Sequence, residues 1–218
     1  LDLTEHGDGD SLDVVLHGAG DARRLRGAGF RYRVRVKDLR AQARRHREAD
    51  RRFRKRHPKG SDLPSGSTGY RTLAGFEQEM RRLAQRYPSL VRPLTLPYPT
   101  HEGRLIQGIE ITRRAHDLDD GKPIFLNMGA HHAREWPSAE HSLEFAYDLL
   151  TRYGRDRRVT RLVDQTRTIV IPVVNPDGFH ISRSADPGDP EDDFSLFDYE
   201  MKRKNCEPDP NGPCDDRS

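Results

Sequence analysis

Long apolar runs are missing from this chain. No stretch approaches the roughly 18 residues that a membrane-spanning helix needs, and hydrophobic residues make up only 33% of the 218. A core can form at that content, but part of the chain must be heavily solvated. Cysteine is scarcer still: Cys206 and Cys214 are the only two, separated by EPDPNGP. A zinc ribbon needs further Cys or His at close spacing, and none follows. The pair reads as a local disulfide in an exported protein, with two free thiols as the alternative. A dominant charge of one sign is also lacking. Lys and Arg number 38 against 35 Asp and Glu, a formal net charge of +3. That excess is too mild to argue for nucleic acid, so neither nucleic acid nor membrane is expected as a partner. The chain opens at Leu1 and closes in CDDRS, and it reads as a piece of something longer.

The hydrophobic pattern divides the chain near residue 60. LDVVLH (12–17) predicts a short strand, 21–28 a short helix, and FRYRVRV (30–36) alternates as a half-buried strand. Together they predict a small β-α-β unit. Residues 37–60 are very basic and poor in apolar side chains, so they read as an exposed helix or a linker. GSDLPSGSTG (60–69) is a boundary. Residues 1–60 thus form an N-terminal extension, a possible propeptide, and 61–218 a separate unit.

The second unit is patterned differently. In 72–87, Leu73, Phe76, Met80, Leu83 and Tyr87 recur three and four apart, as on one face of a helix that Thr72 would cap. Strands are predicted at 104–112, at IFLNM (124–128), read as buried on both faces, and at TIVIPVV (168–174), which ends in the turn NPDGF. Helices are predicted at 138–153, with Pro137 in the first turn, and at 157–167. Strands alternating with helices predict an α/β fold, a mixed β-sheet flanked by helices and preceded by the β-α-β extension.

Between strand 124–128 and helix 138–153 stands GAHHAREWPS, residues 129–138. In open α/β sheets, ligands gather outside the carboxyl ends of the strands. His132 and Glu135 are three residues apart on a tight turn, where side chains project to one side. An imidazole nitrogen and a carboxylate oxygen are common zinc ligands. The spacing alone is a weak signal, and by itself it reads first as a hydrogen-bonded, partly buried histidine.

The whole string is more specific. GAHHAREW, after an apolar strand and before a helix, resembles the zinc carboxypeptidases of the carboxypeptidase A and B type. YRTLAGFEQEMRRLAQRYPSLV, EGRLIQGIEI, VVNPDGF and MKRKN with the cysteines after it are similar to successive segments of that family. The string together with the basic extension also resembles the bacterial secreted branch. The resemblance implies a Zn²⁺ cofactor, with His132 and Glu135 as ligands and His131 as an ordinary neighbour. It implies that Arg134 lies in the substrate groove and that Arg203 stabilises the oxyanion of the scissile carbonyl. The family's aromatic before that arginine is not present.

The third ligand, the carboxylate clamp and the general base are expected beyond residue 218, so this chain alone is expected to be inactive. The implied activity is release of one amino acid from peptides or proteins with a free C-terminus, by a monomeric extracellular enzyme. The alternatives are an N-acyl amino acid amidohydrolase on the same fold, an inactive remnant, or a basic binding module using 40–57. The acidic stretch DPGDPEDD (186–193) reads as a solvated loop or a calcium loop.

Overall fold

A computed structural model describes residues 2–184 of the chain. Near the N-terminus, strands β1 (Asp2–Asp8) and β2 (Ser11–Val15) pair antiparallel, with Asp2 opposite Val15 and Asp8 opposite Ser11. Helix α1 (Ala19–Gly27) follows. The expected β-α-β unit is therefore a hairpin followed by a helix. Residues 30–36 form no strand, and their alternating apolar side chains are left open to solvent. Phe30 and Val34 are 64% and 56% exposed. Helix α2 (Leu39–Arg56) fills the basic segment. Asp38 caps it by accepting from the Ala41 amide at 2.8 Å, a contact that satisfies an otherwise orphan N–H.

From residue 70 onward the chain builds one mixed sheet flanked by helices. Helix α3 (Leu73–Arg86) starts at Thr72, whose hydroxyl accepts from the Gly75 amide at 3.2 Å, and it buries Phe76, Met80 and Leu83. Strands β3 (Val91–Thr95) and β4 (Gln107–Ile111) form an antiparallel hairpin, with Val91 opposite Ile111. Strand β5 (Ile124–Met128), helix α4 (Trp136–Arg152), helix α5 (Arg157–Gln165), strand β6 (Arg167–Ile171) and helix α6 (Pro176–Ser184) complete the described order.

The sheet order is β3-β4-β6-β5. Strand β4 runs antiparallel to β6, and β5 runs parallel to it. The core joins helices α3 to α6 to the central strands through Phe76, Leu83, Ile109, Ile111, Leu143, Leu149, Val163, Val170 and Phe179, all nearly inaccessible to solvent.

One strand of this sheet was not read in the sequence, and another departs from its reading. Strand β3 carries Pro93, which a central strand would not tolerate. It is an edge strand of the described sheet, where a residue without an N–H costs no ladder bond. Strand β5, expected to be buried on both faces, is the other edge. Its apolar side chains face solvent, with Ile124 65%, Phe125 51%, Leu126 49% and Met128 42% exposed. Phe125 still meets Phe145 of α4 edge-on, with ring centroids 6.1 Å apart.

Charge is used inside the fold as well as on it. Arg167, at the start of β6 and almost fully buried, contacts Glu110 of β4 and donates to Asp120 at 2.9 Å. Lys122 reaches Asp120 at 3.0 Å, and Arg92 of β3 meets the other oxygen of Glu110. This cluster ties the loop before β5 to β4 and β6. Buried charges are tolerable only when paired, so the cluster is cooperative by necessity.

The hydrogen bond from Arg167 holds the Asp120 carboxyl well below the usual carboxylate range. A depressed folded-state pKa contributes stability that is present above the unfolded value, near pH 4, and lost as the pH falls through the folded one. Asp120→Asn is therefore expected to lower the melting temperature at pH 7. The gap to wild type should close as the pH is taken from 5 towards 2, as followed by circular dichroism.

Candidate functional site

The site grows out of the carboxyl end of the parallel pair β5–β6. The ladder does not stop with the strands. The Gly129 amide donates to the Ile171 carbonyl at 3.0 Å, Val174 donates back to Gly129 at 3.0 Å, and Asn175 donates to Ala130 at 3.2 Å. Gly129 sits where a side chain has no room. A Cβ there would lie 2.6 Å from the Ser138 carbonyl oxygen and 2.7 Å from that of Pro172. Ala130 then turns the chain with φ of 47°, a left-handed conformation that alanine adopts at a cost of about 1 kcal/mol or more. The next residues form a short turn, closed by the Glu135 amide donating to the His132 carbonyl at 3.1 Å. Glu135 is the N-cap of α4, and Pro137 occupies the first turn, where a missing N–H is harmless.

This backbone divides the motif by size. Ala130 and Ala133 are fully buried, whereas His131 and Glu135 are exposed and His132 and Arg134 are partly so. His132 Nδ1 and Glu135 Oε1 meet at 2.7 Å, and both side chains are open to solvent at 36% and 49%. Arg134, on the same turn, has no hydrogen-bond or ion-pair partner among the described residues. The His131 carbonyl accepts from Asn175 Nδ2 at 3.4 Å.

The donor set fits zinc in part. Tetrahedral zinc holding an imidazole nitrogen and a carboxylate oxygen at about 2.0–2.2 Å each sets those atoms roughly 3.4 Å apart. Small rotations of two exposed side chains would open the 2.7 Å contact that far. Among the described residues no group of three His, Cys, Asp or Glu could hold a metal. A catalytic zinc takes three protein ligands, so a zinc held by His132 and Glu135 would need a third that the described residues do not supply. Arg203, Cys206, Cys214 and the acidic stretch 186–193 lie outside the described residues.

Two features of the surroundings escaped the sequence reading. NPDG, expected as a plain turn, opens helix α6. Asn175 Oδ1 accepts from the Gly178 amide at 3.0 Å as an N-cap, and Asn175 also reaches back to the motif turn. Asp177 is fully buried and takes hydrogen bonds from Thr100 Oγ1 at 2.8 Å, the Glu102 amide at 3.2 Å and Arg104 at 2.9 Å. Trp136, grouped with Arg134 in sequence, is a structural pin. Its indole N–H donates to Ser182 at 2.9 Å, Arg183 stacks 4.3 Å above its ring, and Tyr70 meets it edge-on at 5.7 Å. The signal for the Asn175 cap was the N-x-D-G spacing, which fits a capped helix as well as a turn.

A mixed sheet flanked by helices carries a His-x-x-Glu pair where a helix opens at the ends of its parallel strands. The chain belongs to the zinc carboxypeptidase family, whose model matches residues 76–215. It is 34% identical over 117 residues to the inactive metallocarboxypeptidase ECM14 of Saccharomyces cerevisiae, covering 54% of this chain and 27% of that one. To metallocarboxypeptidase A of Trichophyton tonsurans it is 31% identical over 118 residues, covering 54% of this chain and 24% of that one. The chain thus spans about a quarter of the length of these relatives.

Among solved structures, thrombin activatable fibrinolysis inhibitor matches with a TM-score of 0.64 at 20% identity, over 90% of this chain and 43% of that one. Carboxypeptidase A from Helicoverpa armigera matches with a TM-score of 0.60 at 20% identity, over 85% and 41%. These two establish the shared fold.

Gly129→Ala is expected to destabilise the protein by about 1–3 kcal/mol, because the new methyl meets two backbone carbonyls that cannot rotate away. Urea unfolding measures it. Loss of stability no greater than that of an exposed glycine with open space around it, such as Gly20→Ala, would mean the cradle around Gly129 yields easily.

Proposed function

We propose that the protein containing this chain is a zinc-dependent metallocarboxypeptidase that releases single amino acids from the C-termini of peptides and proteins. The observation that carries this reading is the convergence of His132 Nδ1 and Glu135 Oε1 at 2.7 Å, on an exposed turn at the carboxyl end of β5. His132 and Glu135 would hold the zinc, with a further ligand from outside the described residues. When bound, the metal supplies Lewis-acid polarisation of a carbonyl and activates water near neutral pH. Arg134, whose guanidinium has no hydrogen-bond or ion-pair partner among the described residues, would bind the peptide chain. Arg203 would stabilise negative charge developing on the scissile carbonyl oxygen, a task suited to a fixed, permanently charged donor.

The same reading places the protein outside the cell, with Cys206 and Cys214 joined as a disulfide, 1–60 as a removable extension, and a monomer as the working unit. It assigns the protein to the bacterial secreted branch and treats the present 218 residues as the front part of the enzyme. A second reading is supported by the relatives named inactive metallocarboxypeptidase: a family member that keeps the fold without the catalysis.

The test uses the full-length protein and a blocked dipeptide with a free C-terminus. Chelator-sensitive release of the terminal residue is expected, abolished by His132→Ala and reduced about 10²–10³-fold in kcat by Arg203→Ala. A full-length protein that binds zinc but cleaves no peptide would support the inactive reading instead. Turnover confined to N-acyl amino acids would move the assignment to an amidohydrolase.

A further inference from the structure

Ser138 lies in the first turn of α4, and its hydroxyl is used twice. The oxygen accepts from the Ala130 amide at 2.9 Å, and the O–H donates to the Glu135 carbonyl at 2.7 Å. These contacts fall at the two ends of the motif turn, where the chain leaves β5 and where it enters α4. One small side chain therefore closes the loop that carries His132 and Glu135. The Ala130 contact holds a residue whose φ of 47° is unfavourable for alanine. The Glu135 contact acts on a residue with φ of −87° and ψ of 57°, neither helical nor extended. The Ser138 backbone is fixed in turn, since its amide donates to the same Glu135 carbonyl at 3.0 Å and its own carbonyl accepts from Ser142 Oγ at 3.0 Å.

We infer that Ser138 is a positioning residue for the metal pair, setting the backbone of Glu135 so that its carboxylate meets the His132 imidazole. The carbonyl and the side chain of Glu135 share one Cα, so a hydroxyl that fixes the first restricts where the second can reach. No other side-chain group bonds to both the Ala130 amide and the Glu135 carbonyl among the described residues. The inference rests on the reading of His132 and Glu135 as zinc ligands. Ser138 touches neither ligand side chain and acts through the turn alone.

The experiment measures zinc affinity of the full-length protein by competition with a chromophoric chelator, beside the melting temperature of the metal-free protein. Ser138→Ala is expected to weaken zinc binding about 10-fold or more, in the range found for groups that orient metal ligands. Ser138→Thr, which keeps the hydroxyl, should restore affinity to within a few-fold of wild type. The metal-free proteins should melt close together. Wild-type affinity in Ser138→Ala, with binding abolished by His132→Ala, overturns the positioning role. So does a loss that Ser138→Thr fails to restore, or one matched by a general loss of metal-free stability. If His132→Ala itself binds zinc as wild type does, the metal reading of the site falls, and that result is distinct from the others.

Discussion

Everything at the site depends on the backbone ladder that continues past the ends of β5 and β6. Three hydrogen bonds run through Gly129, Ala130, Val174 and Asn175 after the strands themselves have ended. They exist because Gly129 has no side chain and lets two carbonyls approach to distances that a Cβ would forbid. That close approach brings α4 down against the strand end, and with it the first turn that holds Glu135 and Ser138. A larger residue at 129 would move the helix, and the geometry of the pair three and six residues on would move with it. The site is thus set by main-chain packing before any of its own side chains act.

The sequence displayed the α/β half of the molecule well, because its signals were periodic. The three-and-four spacing of Leu73, Phe76, Met80 and Leu83 is realised as α3, and Thr72 caps it as read. Less legible was anything decided by neighbours. Ile124, Leu126 and Met128 have the composition of a buried strand, yet composition does not say whether β5 has a partner on each side. In the described sheet it has one. FRYRVRV alternates as a strand should, but a strand exists only when it pairs, and residues 30–36 pair with no strand among the described residues. NPDG was ambiguous because asparagine serves turns and helix caps by the same hydrogen bond to a backbone amide two or three residues on.

The His132–Glu135 pairing was visible in the spacing, whereas its bracing was not. Ser138 and Asn175 are ordinary polar residues in sequence, and only the fold brings the Ser138 hydroxyl to the Ala130 amide across eight positions. Trp136 shows the converse. It stands beside the motif and invites a role in binding, but its indole is spent on Ser182, Arg183 and Tyr70, fastening the start of α4 to α6 and to the segment before α3. Arg71 continues that fastening from below, donating its amide to Glu140 of α4 at 2.5 Å and its guanidinium to Ser65 at 2.8 Å. Part of the chain's abundant arginine forms an internal network of this kind.

These braces explain how a site can be open and still be specific. His132 and Glu135 are exposed, and exposed side chains are normally free to change rotamer. Here the freedom is confined to the side chains, since the backbone beneath them is held from three directions. The sheet holds Gly129 and Ala130, α4 holds Glu135 through Ser138, and α6 holds His131 through Asn175. The small residues of the motif face inward, with Ala130 and Ala133 fully buried, while the large polar ones face outward. A turn built this way leaves its two potential ligands only a few torsions with which to find an ion. Restricting those torsions in advance lowers the entropy lost on binding, which is the physical meaning of a preorganised site. Replacing either alanine with a bulkier residue would act first on the backbone and only through it on the pair.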